Sequence, residues 1–151
     1  MRITAKVDYA VRAAVELAAA PPGPMKGDAL ARRQGIPAKF LENILADLRR
    51  AGIVASQRGA EGGYRLARPA ADIQVADIIR AVEGPLADVH GSPPEEVDYT
   101  GPAVPLRRVW VATRAALRSI LEEVSVADIA EGTLPPSVES VLDVPDAWSR
   151  R

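Results

Sequence analysis

A glycine-rich run, Arg58-Gly59-Ala60-Glu61-Gly62-Gly63, separates two short segments of strand character in a chain that is otherwise helical in its apolar spacing. Ile53-Val54-Ala55-Ser56-Gln57 and Tyr64-Arg65-Leu66-Ala67-Arg68 lie on either side and read as one hairpin. An isolated hairpin cannot bury a core, so it must lean on helices. The fold class that follows is mainly α with a small β-hairpin.

The helices on which it leans are legible. Thr4 caps a helix whose apolar positions Val7, Ala10, Val11, Ala14, Val15, Leu17 and Ala18 recur at three and four, until Pro21-Pro22-Gly23-Pro24 stops it. Asp28 to Gln34 is a short amphipathic stretch with Leu30 inward, and Gly35 reads as its left-handed end. Pro37 opens a longer helix, 38–51, with Phe40, Leu41, Ile44, Leu45 and Leu48 as the inward stripe. Beyond the hairpin, Asp72 to Glu83 returns to helical spacing, ended by Gly84-Pro85. Residues 85–105 are rich in Pro, Gly and acids and read as a long loop, functional or disordered. A further helix runs from Leu106 to Val124, with Leu106, Val109, Trp110, Thr113, Leu117, Ile120, Leu121 and Val124 along one side, and either covers the front domain or pairs with its copy in a second subunit. A last helical turn is expected at Asp128 to Glu131, then a mobile tail. The organisation is a first domain at 1–84, a loop at 85–105, a helical region at 106–132 and a tail at 133–151.

Charge divides the chain along the same line. Residues 1–68 carry twelve Lys and Arg against six Asp and Glu, whereas residues 69–151 carry seven against fourteen. A basic front and an acidic back fit a polyanion-binding module joined to a separate partner-binding module. The chain has no cysteine and one histidine. That excludes disulfides, thiolate metal sites and cysteine nucleophiles, and Ser56, Ser92 and Ser119 have no evident base, so no enzyme is expected. No window holds the eighteen or so uninterrupted apolar residues of a membrane span, and the start does not read as a signal peptide, so the expected location is cytoplasmic, without membrane contact.

Helix, short helix, tight turn, longer helix and glycine-tipped hairpin form the order of a winged helix-turn-helix, whose third helix enters the major groove. The inward stripe of that helix leaves Ala38, Lys39, Glu42, Asn43 and Arg49 outward. Lys39 can donate to guanine and Glu42 can accept from cytosine N4. Arg58 on the hairpin tip can enter a narrow minor groove. Gly59 and Gly63 allow close approach of the wing. Each residue alone reads equally well as an ordinary solvated side chain, and Glu61 at the tip opposes phosphate. Their conjunction on the basic half of the chain is what points to double-stranded DNA.

Several runs are more specific still: Thr4-Ala5-Lys6-Val7-Asp8-Tyr9-Ala10, Gly35-Ile36-Pro37 with Phe40-Leu41-Glu42, and Leu48-Arg49-Arg50-Ala51-Gly52-Ile53-Val54. Ser56-Gln57-Arg58-Gly59, Gly62-Gly63-Tyr64-Arg65-Leu66-Ala67-Arg68-Pro69 and Ile78-Ile79-Arg80-Ala81-Val82-Glu83-Gly84 extend them. Over residues 1–84, and more weakly around Trp110, the chain resembles the Rrf-type winged-helix transcription regulators, the IscR, NsrR and CymR group. The resemblance implies base contacts through Lys39, Glu42 and Arg58, and backbone contacts through Thr4, Lys26 and Tyr64. It also implies a homodimer, seamed by Leu106, Val109, Trp110, Leu117, Ile120 and Leu121, on a roughly palindromic operator; the role expected of it is that of a repressor.

Cluster-binding relatives place three cysteines in the loop after the fourth helix, where this chain has residues such as Gly91, Val97 and Ala103. No iron-sulfur cofactor and no metal site are therefore expected, since Asp8 and His90 cannot replace soft thiolates. Three readings of the sensing half stand side by side: a small-molecule effector in a pocket of Asp8, Tyr9, His90 and Trp110, a partner protein, or constitutive repression. A winged-helix module that binds protein rather than DNA is the alternative of a different class.

Overall fold

A computed structural model of the chain describes residues 2–150. The elements in order are α1 (Ala5–Ala19), α2 (Gly27–Gln34), α3 (Ala38–Arg50), β1 (Val54–Gln57), β2 (Gly63–Leu66), α4 (Val75–Glu83), α5 (Leu106–Leu121), α6 (Val126–Glu131) and α7 (Pro136–Leu142). The two strands form one antiparallel ribbon, with Val54 opposite Leu66 and Gln57 opposite Gly63. The fold is thus mainly α with a two-stranded wing.

Local chemistry sets the ends of these elements. The Thr4 hydroxyl accepts from the Val7 amide at 3.2 Å and caps α1. Gly35 has φ 62°, and with the chain reversed there the Ile36 amide reaches back to the Ala31 carbonyl at 2.9 Å. This left-handed residue turns α2 into α3. Leu30, Leu41, Ile44, Leu45 and Leu48 from those helices meet Ile53, Ile73 and Ile78 in a core from which water is excluded. Burying such a side chain contributes about 1.5–3 kcal/mol.

Three expectations need correction. Phe40, placed in the inward stripe, is 37% exposed and meets the Tyr9 ring edge-on at 5.6 Å, because the α3 stripe is already filled by Leu41 and Ile44. The helix expected from Asp72 begins at Val75: residues 70–72 form a 3₁₀ turn, and Gln74 and Asp77 make a capping box. Residues 85–105 form the long loop expected, and an ordered one: Leu86 and Pro94 are buried and short 3₁₀ turns occupy Pro94–Glu96 and Gly101–Ala103. Finally, the apolar run from Leu106 divides after Leu121.

That division reassigns the C-terminal residues. Val124 is buried, and its carbonyl accepts from Val75 at 2.9 Å while the Val126 amide donates to Ile73 at 2.8 Å. Ser125 and Asp128 form the capping box of α6, with bonds of 3.0 and 2.7 Å. Helix α6 packs on α1 with Val126 fully buried. Residues 124–131 therefore complete the first core, although the sequence grouped them with the helix at 106–132. The stretch beyond 133, expected to be a tail, contains α7.

Two carboxylates hold the helices together. Asp47 of α3 lies 2.8 Å from Lys6 of α1, whose ammonium also donates to the Val82 carbonyl at 2.8 Å, and Arg50 approaches it as well. Glu16 of α1 accepts from Gln34 at 2.6 Å and from Arg33 at 3.1 Å. The hydrogen bond from Lys6 holds the Asp47 carboxyl below its ordinary range, and those from Gln34 and then Arg33 do the same for Glu16. Depressed folded-state pKa values mean stability that is complete above the ordinary carboxylate range and is lost as pH falls through the folded values. Urea midpoints at about pH 7 and about pH 3.5 should therefore differ less in Asp47→Asn than in the unmodified chain. An unchanged difference would show that the Lys6 pair plays no part in the acid limb.

Candidate nucleic-acid interface

The hairpin is fastened to the helix-turn-helix by backbone pairing. Met25 and Tyr64 exchange two amide-carbonyl bonds, of 2.8 and 2.7 Å, so β2 lies against the chain just before α2. The Tyr64 ring covers Gly27, where a Cβ would stand 3.4 Å from Cε2. Lys26 reaches across to the wing tip and donates to the Gly59 carbonyl at 3.3 Å. It also precedes α2 at a helix end without a side-chain cap, so the first amides of α2 remain available to an anion.

This fastening draws separate parts of the chain around one cleft of about 230 Å³. Lys26 and Gly27 from the start of α2, Ala38 and Glu42 from the start of α3, and Tyr64 from the wing line it. Lys39 and Asn43 are exposed on α3 beside them, and Arg58 and Gly59 are exposed at the wing tip. Most other basic residues of the front half are engaged: Lys6 with Asp47, Arg12 with Asp8, Arg33 with Glu16 and Arg68 with Asp77. Lys39, Glu42, Asn43 and Arg58 have no hydrogen bond or ion pair with other described residues. Free charges and amides on one face are what a contact with a polar partner needs, because no internal bond must be broken to make it.

Not every expected contact is equally free. The Thr4 hydroxyl, besides capping α1, donates to the Glu83 carboxylate, so it is spent within the chain and sits beside a negative charge. Arg49, read as outward, reaches Ser56 of β1 at 3.3 Å and braces the wing against α3. The sequence reading overlooked Met25 and Gly27. Their part depends on pairing with Tyr64, nearly forty residues away, and no local pattern announces it.

The candidate effector pocket divides in two. His90 and Trp110 do line a common cavity of about 430 Å³, with Tyr99 and Thr113, between the 85–105 segment and α5. Trp110 Nε1 donates to the Tyr99 hydroxyl at 3.0 Å, and His90 stands in a left-handed conformation, φ 54°. Asp8 and Tyr9 are not part of it: Asp8 pairs with Arg12 at 3.0 Å, and Tyr9 lies between Phe40 and the Arg12 guanidinium. Among the seam residues, Leu121 packs on the core of its own chain. Leu106 and Trp110 also face the loop, and Val109 is 51% exposed.

The comparisons with known proteins fit this arrangement. The family described as Rrf2, iron-dependent transcriptional regulator, matches residues 3–132. The HTH-type transcriptional regulator Rv1287 of Mycobacterium tuberculosis is 49% identical over 144 residues, covering 95% of this chain and 89% of that protein. The structure of CymR, the global cysteine regulator of Bacillus subtilis, aligns with a TM-score of 0.72 at 31% identity, over 88% of this chain and 98% of that one. IscR of T. potens aligns with a TM-score of 0.70 at 34% identity, over 87% and 88% of the two chains.

The donor set of this chain does not fit the iron in the family description. Cluster iron is held by thiolates, and there is no cysteine. The one histidine is exposed on the loop, and the described residues contain no group of three His, Asp or Glu side chains placed to hold an ion. No helix among them is long and apolar enough to cross a membrane. A wing pinned beside a helix-turn-helix, a free polar face between them, and a family match across most of the length agree: this chain belongs to the Rrf2 family of winged-helix transcriptional regulators.

Proposed function

We propose that the chain is a homodimeric repressor that reads a roughly palindromic operator without an iron-sulfur cluster. The observation that carries this reading is the shared cleft of Lys26, Ala38, Glu42 and Tyr64, flanked by unpaired Lys39, Asn43 and Arg58. With α3 in the major groove, Lys39 and Glu42 meet base edges. The amides at the start of α2 and the Lys26 ammonium meet phosphate on one side, and Arg58 enters the adjacent minor groove. Thr4 is left with a capping role rather than a phosphate contact. The dimer rests on α5, a sixteen-residue helix with no buried residue and an apolar stripe, which needs a second copy to cover it. Lack of thiolates supports a cluster-free regulator, whose signal must come by another route.

Capture of bound chromosomal DNA, followed by fluorescence anisotropy on the recovered sites, tests the reading. Affinity should fall steeply between about 50 and 200 mM salt, as phosphate contacts require. Replacing Lys39 or Glu42 with alanine should weaken binding by about 1–3 kcal/mol and relax the preference at one base position. Arg58→Ala should lower affinity and leave the thermal midpoint in place. A protein that recovers no DNA sequence even at low salt would refute the proposal.

A further inference from the structure

A second cavity, of about 290 Å³, lies where the winged domain meets α5, beside the His90 pocket, with which it shares Ala87 and Asp88. Three arginines line it, Arg80 from α4 and Arg114 and Arg118 from successive turns of α5, together with the acidic Asp88 and Glu95. Leu86 and Pro93 supply apolar wall. Its volume is at the lower edge of the range of about 300–1,000 Å³ usual for small-molecule sites. Arg114 and Arg118 lie about 60° and 100° round α5 from Leu117, to one side of the line of Val109 and Ile120.

The charges in the ring are unevenly satisfied. Arg114, with its side chain only 15% exposed, is paired with Glu95 at 2.7 Å. Glu95 is 54% exposed on a three-residue turn, so its carboxylate is a replaceable partner. Arg80 is bonded to Glu122 and also pairs with Asp77 at 3.9 Å. Arg118 approaches the same Glu122 only to 3.8 Å, beyond hydrogen-bond range, and most of its donor fork is unused. Asp88, also at the rim, has one oxygen committed to the Gly91 amide at 2.9 Å. A ligand with one acidic group could do no more than exchange for Glu95. One with two or more can take Arg114 and the free edge of Arg118 together, in the charge-assisted geometry guanidinium favours.

We propose that this cavity is an effector site for a small multivalent anion, a di- or tricarboxylate or a phosphorylated metabolite, held by Arg80, Arg114 and Arg118. The Arg80–Glu122 bond is a direct polar tie from α4 to α5, and Arg118 shares that glutamate. An anion that draws Arg118 and Arg80 inward changes this tie, and with it the angle between the winged domain and the helix that carries its twin. Two recognition helices on one operator respond to that angle. The regulatory half of the inference rests on the DNA-binding reading above; the binding half does not.

Calorimetry on the full chain at matched ionic strength, with citrate, succinate, inorganic phosphate and acetate as probes, tests the site. Saturable binding of a multivalent probe, absent with acetate, is expected, and whether the carboxylates or phosphate bind better identifies the source. Arg118→Met removes a half-exposed side chain whose ion pair with Glu122 is a long one, 3.8 Å, and should weaken binding about tenfold or more, the loss of one charge-assisted contact. Glu95→Gln, which removes the competing carboxylate, should tighten it. If no multivalent anion exceeds acetate, or Arg118→Met binds as well as the unmodified chain, the site is refuted. With the site occupied, operator affinity should change at least about fivefold. Anion binding that leaves operator affinity unchanged overturns the effector role, whereas a chain that binds anions but no DNA overturns the DNA-binding reading alone.

Discussion

In the proposed dimer, Leu117→Glu is expected to yield a monomer whose operator affinity is about a thousandfold lower. Helix α5 has sixteen residues and none is buried, while Val109 and Trp110 expose 51% and 37% of their surface. Leu117 lies at the centre of that stripe, about one turn from Thr113 and Ile120 and two from Trp110. In a two-fold dimer a seam residue meets its own copy or a near neighbour of it, so a single substitution places two carboxylates in the same apolar contact. Each must be desolvated or leave, and an unpaired buried charge costs several kcal/mol, which exceeds what one short helical seam supplies. The separated subunit keeps its wing and α3 but reads one half-site. The distance between specific dimer binding, at about 10⁻⁸ M or tighter, and non-specific binding, at about 10⁻⁵ M, sets the size of the loss. Sedimentation velocity and anisotropy on one sample measure both quantities, and Leu117→Met should change neither. A dimer that survives Leu117→Glu would place the seam elsewhere.

What was legible in the sequence was what depends on near neighbours. Thr4 as a cap, Gly35 as a reversal, the stripe of Leu41, Ile44, Leu45 and Leu48, and the alternation on either side of Arg58 each need only a few residues to declare themselves. The same locality misled at Phe40: the helical period placed it on the edge of the inward stripe, but the core was full, and the ring settled against Tyr9. At Leu121 and Val124 the period ran on unbroken while the chain turned, because the partner that claimed Val124 was Val75, across the core. The candidate effector residues divided for a similar reason. His90 and Trp110 belong to adjacent segments and came together, while Asp8 and Tyr9 on α1 had closer partners in Arg12 and Phe40. Of the candidate interface, Lys39, Glu42 and Arg58 were readable as outward polar residues. Its rigidity was not, since that comes from the pairing of Met25 with Tyr64.

That rigidity can be measured at Gly63. Its φ is 151°, a region L side chains rarely enter, and a Cβ built there would stand 2.4 Å from the Met25 carbonyl oxygen and 2.9 Å from the Lys26 nitrogen. Both atoms are backbone, and Met25 is held to Tyr64 in both directions, so neither can withdraw without breaking the pairing. Gly63→Ala should therefore destabilise the chain by about 3 kcal/mol, combining overpacking with backbone strain, and lower the thermal midpoint by about 10 °C. Gly59 is the internal control. It too has positive φ, 102°, but a Cβ there meets nothing within 4 Å. Gly59→Ala should thus carry only the strain, about 1–2 kcal/mol, and leave the wing attached. The two variants should separate further on DNA. In Gly63→Ala the wing leaves the start of α2, so Arg58 and Lys26 no longer present their charges on one face, and affinity should drop about tenfold or more, as for loss of a minor-groove and a phosphate contact together. Scanning calorimetry and anisotropy report the two effects independently. Equal behaviour of the two alanine variants would mean that the wing is not held by the Met25 pairing and that Gly63 serves only as a flexible link.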